Sequence, residues 1–182
     1  MKCNTKLFFG LLLNYIFFFQ TTIAYEEGFK DYLLAYGLLM GTAVVHEAGH
    51  AIALKALYDE SCDINIGAFS PESSTAITIG KIHFKYPLMP YGYVQHKNYG
   101  KNHLKDIAVS ISGPILGSFA SFASLKLLEN RYPSNYDYRW AKAFMRGGVL
   151  AQLLNLIPHP GFDGHHIYES LKKLIANMKP AK

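Results

Sequence analysis

The stretch Tyr32-Leu-Leu-Ala-Tyr-Gly-Leu-Leu-Met-Gly-Thr-Ala-Val-Val-His-Glu-Ala-Gly-His-Ala-Ile-Ala-Leu54 governs the reading of this chain. It contains no proline and no cluster of turn formers, so it reads as one helix, and the helical pattern extends from Phe29 to about Tyr58. At 1.5 Å per residue, that length crosses about 30 Å of hydrocarbon with some tilt. Past its middle stands His46-Glu47-Ala48-Gly49-His50, an H-E-x-x-H pattern. Two histidines four residues apart share one helical face, so both rings can turn a nitrogen to a single zinc ion, with Glu47 beside the water bound there. A core helix with hydrogen-bonded histidines is the plainer reading of the bare pentapeptide. The apolar flanks argue against it, because three ionisable groups in such surroundings are costly unless they face a partner, a cavity or a metal.

Composition points the same way. At 182 residues the chain has room for one ordinary domain. Half of its residues are hydrophobic and 17% are charged, below the roughly 25% usual in soluble proteins. The net charge is +5, but the lysines are spread along loops and the tail, which is not the footprint of a nucleic-acid binder. With Cys3 in the leader and Cys62 elsewhere, no disulfide framework is implied. Met1 to Ala24 carries Lys2 and Lys6, an apolar run from Leu7 to Phe19, and Thr22-Ile23-Ala24, which reads as a signal peptide or a signal-anchor helix. A single domain over residues 25–182 follows it.

Between Asp59 and Asn102, turn residues frame the alternating run from Ala76 to Tyr86 and the segment Tyr91-Gly-Tyr-Val, which predict a small β-hairpin region. A second apolar segment, Ile107 to Leu128, carries Ser110, Gly113, Gly117 and Ser121, the small residues that let membrane helices approach closely. Its Gly113-Pro114 pair predicts a bend. A third runs from Ala143 to Ile157, breaks at Pro158-His159-Pro160-Gly161, and resumes as a helix from Asp163. The expected fold is therefore mainly α, a polytopic, multi-pass integral membrane protein with three core transmembrane helices.

A catalytic zinc site takes three protein ligands and keeps one position open. Asp163, at the end of an apolar segment and just after a broken helix, is the conspicuous third candidate beside His46 and His50. His159, His165 and His166 are alternative ligands or groups shaping the site entrance, whereas His83, His96 and His103 read as ordinary surface histidines.

Several motifs in order make the chain resemble the site-2 protease family of intramembrane zinc metalloproteases. Val45-His-Glu-Ala-Gly-His-Ala is similar to its H-E-x-G-H helix, Met89-Pro-Tyr-Gly-Tyr-Val to its hairpin element, Ser112-Gly-Pro to its A-G-P element, and Asn155-Leu-Ile-Pro-His-Pro-Gly-Phe-Asp-Gly to its N-x-x-P-x-P-x-x-D-G element. The resemblance spans about Leu38 to His166. It departs from the family pattern at Tyr91, where the hairpin has a glycine, and at His165 and His166 after the aspartate-glycine pair. It implies zinc held by His46, His50 and Asp163, Glu47 as general base, and Asn155 holding substrate or the developing oxyanion. The implied substrate is a transmembrane or membrane-proximal protein segment in a lipid bilayer, unwound onto the hairpin by strand addition. Two other readings are a non-catalytic membrane protein of the same fold that binds a protein partner, and a soluble secreted zinc peptidase.

Overall fold

The computed structural model describes residues 28–67, 75–86, 88–134 and 138–178. The expected signal or anchor segment over residues 1–24 lies outside them. The described chain is mainly helical, with a small mixed sheet. Helix α1 spans Phe29–Tyr58, strands β1 to β4 are Ile64–Ile66, Thr75–Ile79, Ile82–Lys85 and Gly92–Val94, and helices α2, α3 and α4 are His103–Arg131, Arg139–Leu154 and Asp163–Asn177.

Helix α1 ends where Asp59 turns left-handed at φ 54° and its N–H bonds to the Lys55 carbonyl. Helix α2 returns alongside it in the opposite sense. Ala35 packs with Leu125 and Leu128 at one end, while at the other the Tyr58 hydroxyl lies 3.0 Å from Asn102 O and 2.6 Å from Asp106 Oδ1, the nearer acceptor for its one proton. The close approach uses glycine: a Cβ on Gly49 would lie 2.6 Å from Ser112 O, nearer than packed atoms come. Pro114 is fully buried and sits inside the single 29-residue α2.

Helix α3 runs parallel to α1. Its start is capped from another helix, because the buried Asp31 carboxylate of α1 accepts Trp140 N at 3.0 Å and Ala141 N at 2.9 Å. Those are two of the donors that a helix start leaves without partners. Ala141 and Met145 of α3 complete the core cluster around Ala35. The expected third span is shorter than the sequence suggests. Among the described residues only α1 and α2 are long and apolar enough to cross a membrane; the 16 residues of α3 reach about 24 Å.

The expected hairpin is present as β2 and β3, joined through Gly80 at φ 60°. It belongs to a four-stranded sheet in the order β2-β3-β1-β4, in which β1 is parallel to β3 and antiparallel to β4. The three-residue β1 was not anticipated, since it is too short to show a period. Its Ile64 and Ile66 are buried against Ala43 of α1, with Met40, Val44, Ala48, Ile82, Phe84 and Val94 around them. Alternation places Asn65, His83, Lys85 and Tyr93 on the opposite, polar face.

A charged knot ties the sheet to both long helices. The two ring nitrogens of His96 lie 3.4 Å from Glu60 Oε2 and 3.4 Å from Asp106 Oδ1. Glu60 also accepts Lys97 N at 2.8 Å and the Asn98 amide at 2.7 Å, and Asp106 accepts Gly100 N at 2.9 Å. His96 and His103 are therefore not surface histidines: their side chains are 12% and 17% exposed, and His103 Nδ1 is 3.8 Å from Asp106. Both follow the strands in sequence but are drawn inward by Asp106, whose side chain is fully covered. His83 remains partly exposed beside Thr78 and Asp63.

Burial works against the Glu60 charge, but the Lys97 N–H, the Asn98 amide and His96 outweigh it and hold the carboxyl below its usual range. A depressed carboxyl contributes stability above its unfolded value, near 4.3, and loses it as pH falls through the lower folded value. We expect the Tm of the purified wild-type protein to fall below about pH 4.3 more steeply than that of Glu60→Gln. Parallel Tm profiles would remove Glu60 from the stabilising charges.

Candidate metal centre

The face of α1 that carries His46 and His50 points inward, against α2 and the turn after α3. His46, Glu47 and His50 are all buried, at 7%, 5% and 8% exposure. Asp163 enters from the start of α4, and the three side chains His46, His50 and Asp163 bring one ligand atom each within 4.8 Å of one another. Nε2 of His46 lies 3.1 Å from Nε2 of His50 and 3.2 Å from Asp163 Oδ2, and Nε2 of His50 lies 3.3 Å from Asp163 Oδ1. A tetrahedral ion with bonds of about 2.0–2.1 Å separates its ligand atoms by about 3.3–3.4 Å. The separations are of that order, with each aspartate oxygen facing one histidine, and the donors, two imidazoles and a carboxylate, are those that suit zinc.

Each histidine is held from behind. His50 Nδ1 lies 2.7 Å from Val109 O of α2, and His46 Nδ1 lies 2.5 Å from Gln152 Oε1 of α3. Asn155, which follows the last residue of α3, donates its amide to Asp163 Oδ2 at 2.6 Å and stands 3.5 Å from His46 Nε2. One of its two N–H groups is thus committed to orienting the aspartate. Burial works against the Asp163 charge, yet hydrogen bonds and charge from His46 and His50 hold its carboxyl at about 2, so it is present as the anion a metal requires.

Two glycines make the convergence sterically feasible. A Cβ on Gly113 would stand 2.2 Å from His50 Nε2, and one on Gly164 would stand 2.1 Å from Leu156 O. The second lets Asp163 close against the turn after α3, where Gly164 N bonds to Asn155 O at 2.9 Å.

Glu47 lies beneath β4: a Cβ on Gly92 would be 2.5 Å from its Cγ, so only a glycine lets that strand pass directly over it. Tyr91, the departure in the hairpin element, faces the same place. Burial, reinforced by the Glu47 and Asp163 carboxylates, raises its phenol above the ordinary value, which keeps the hydroxyl a donor. His159, His165 and His166 are not members of the metal group among the described residues. His159 stacks near Phe162 and His166 meets the ring of Tyr99 edge-on, at centroid distances of 5.4 and 5.2 Å.

The sequence reading missed Gln152, although a signal was there. It is one helical turn before Asn155, an isolated amide in the apolar run Val149-Leu-Ala-Gln-Leu-Leu-Asn.

Zinc analysis of detergent-purified protein checks the geometry. Wild type is expected to retain equimolar zinc, and His46→Ala and Asp163→Ala to lose it. Gly113→Ala, which pushes a methyl into the His50 ring, is expected to lose most of it, while Gly147→Ala, with open space around its Cα, is expected to match wild type. Comparison of the chain with family models, curated proteins and solved structures yields no match.

Proposed function

We propose that the chain is an integral membrane zinc metalloendopeptidase that hydrolyses peptide bonds of membrane-embedded protein segments. The observation that carries this reading is the buried His46, His50 and Asp163 group, which could hold a metal ion, with Glu47 adjoining it and β4 passing overhead. Three protein ligands with a carboxylate base alongside suit a catalytic centre, since a structural site closes all four positions and needs no base.

Zinc, when bound, supplies Lewis-acid activation of a water, lowering its pKa towards about 7. Glu47 is the carboxylate that would hold the proton released by such a water and deliver it to the leaving amine as the scissile bond breaks. Asn155 has a second N–H with which to donate to the developing oxyanion while the first stays on Asp163. Strand β4 ends the order of the described sheet, so an unwound substrate segment that added to it would run beside the strand that crosses Glu47.

Membrane insertion of α1 and α2, with α3 beside them, is supported by where the apolar side chains go. Ile115, Phe119, Phe122 and Leu127 of α2 and Leu150 and Leu153 of α3 are all more than half exposed. In water such a belt is an aggregation liability, whereas in lipid it lies in its own kind of solvent. This weighs against a soluble secreted peptidase.

The decisive test is cleavage of a model transmembrane substrate by detergent-purified protein. Glu47→Gln is expected to keep equimolar zinc and to lose at least about a hundredfold in turnover, within the range a positioned acid-base group supplies. Full activity in that variant would overturn the mechanism. A wild type that binds zinc but cleaves no member of a substrate panel would point to a non-catalytic, partner-binding protein of this fold.

A further inference from the structure

His46 and His50 are held by unlike partners. The partner of His50 Nδ1 is the backbone carbonyl of Val109, which every residue at that position would provide. The partner of His46 Nδ1 is the side-chain oxygen of Gln152, on α3, 106 residues later in the chain.

A neutral imidazole carries one proton, and the nitrogen that meets a metal must be bare. With a metal bound at Nε2 of His46, the atom turned to Asp163 and His50, Nδ1 would carry that proton and need an acceptor. The amide of Gln152 is itself braced. A Cβ on Gly117 of α2 would stand 2.7 to 2.9 Å from its Cδ, Oε1 and Nε2, so the amide lies flat against a bare backbone and has little room to swing.

We propose that Gln152 is a positioning residue that sets the tautomer and ring orientation of His46, with Gly117 as its backstop, and thereby ties metal affinity to the packing of α3 on α2. The inference rests on reading the triangle as a metal centre. The plainer alternative is that Gln152 merely fills space between two helices. In that case an apolar residue of similar size would serve equally well.

The two are separated by zinc affinity, measured on the full detergent-purified chain by competition with a chromophoric chelator, together with the visible spectrum of the cobalt-substituted protein. Gln152→Leu keeps bulk without an acceptor and is expected to weaken zinc about 10–100-fold and to shift the cobalt spectrum. Gln152→Glu restores an acceptor and is expected to bind within a few-fold of wild type or more tightly. Should Gln152→Leu fail to fold, Gly117→Ala serves instead, because it displaces the amide without removing it and is expected to weaken zinc as well. Equal affinity in wild type, Gln152→Leu and Gly117→Ala would overturn the role of Gln152 and leave the metal centre standing. A wild type with no affinity for zinc would overturn the metal centre, and this inference with it.

Discussion

The structure depends on the cost of burying ionisable groups. His46, Glu47, His50 and Asp163 meet in the interior of an apolar helical assembly, where each charge left without a partner would oppose folding by several kcal/mol. Convergence offsets that penalty. The imidazoles and the carboxylate face one another closely enough to hold a metal ion, and the atoms behind them, Val109 O, Gln152 Oε1 and the Asn155 amide, engage their remaining polar atoms. In such a site the polar groups specify where the helices stop sliding.

Glycine is how the backbone accommodates that demand. Gly49 and Gly113 let α1 and α2 touch at His50, Gly117 receives the Gln152 amide, Gly164 lets α4 fold back on the turn after α3, and Gly92 lets β4 cross Glu47. Each stands where a methyl group would meet another residue's atoms at less than 3 Å. The same small residues that suit close packing of helices in lipid are here spent on bringing ligands together.

Away from the candidate metal centre, the His96 knot plays a comparable part for the sheet. Glu60 follows α1, Asp106 is in the first turn of α2, and His96 lies just past β4. One imidazole between two carboxylates therefore ties the segment after β4 to the end of α1 and the start of α2. The polar outer face of β1, β3 and β4 and the apolar inner face against α1 put the sheet at a boundary between water and packed helices.

Much of this was legible in the sequence because it is local. The long proline-free run of α1, the i, i+4 spacing of its histidines, the small-residue stripe of α2 and the alternation of β2 and β3 are periodic signals carried by neighbouring residues. Asp163 could be singled out, since a carboxylate is conspicuous after an apolar run. What only the tertiary structure decided is which distant atoms meet: β1 between β3 and β4, Asp31 capping α3, His96 between two buried acids, and Gln152 behind His46. No local period encodes those contacts. They follow from the parallel course of α1 and α3 and the antiparallel return of α2, a packing arrangement settled by the whole chain, and it is that arrangement which brings Asp163 to the two histidines of one helix, in a group that could hold a metal ion.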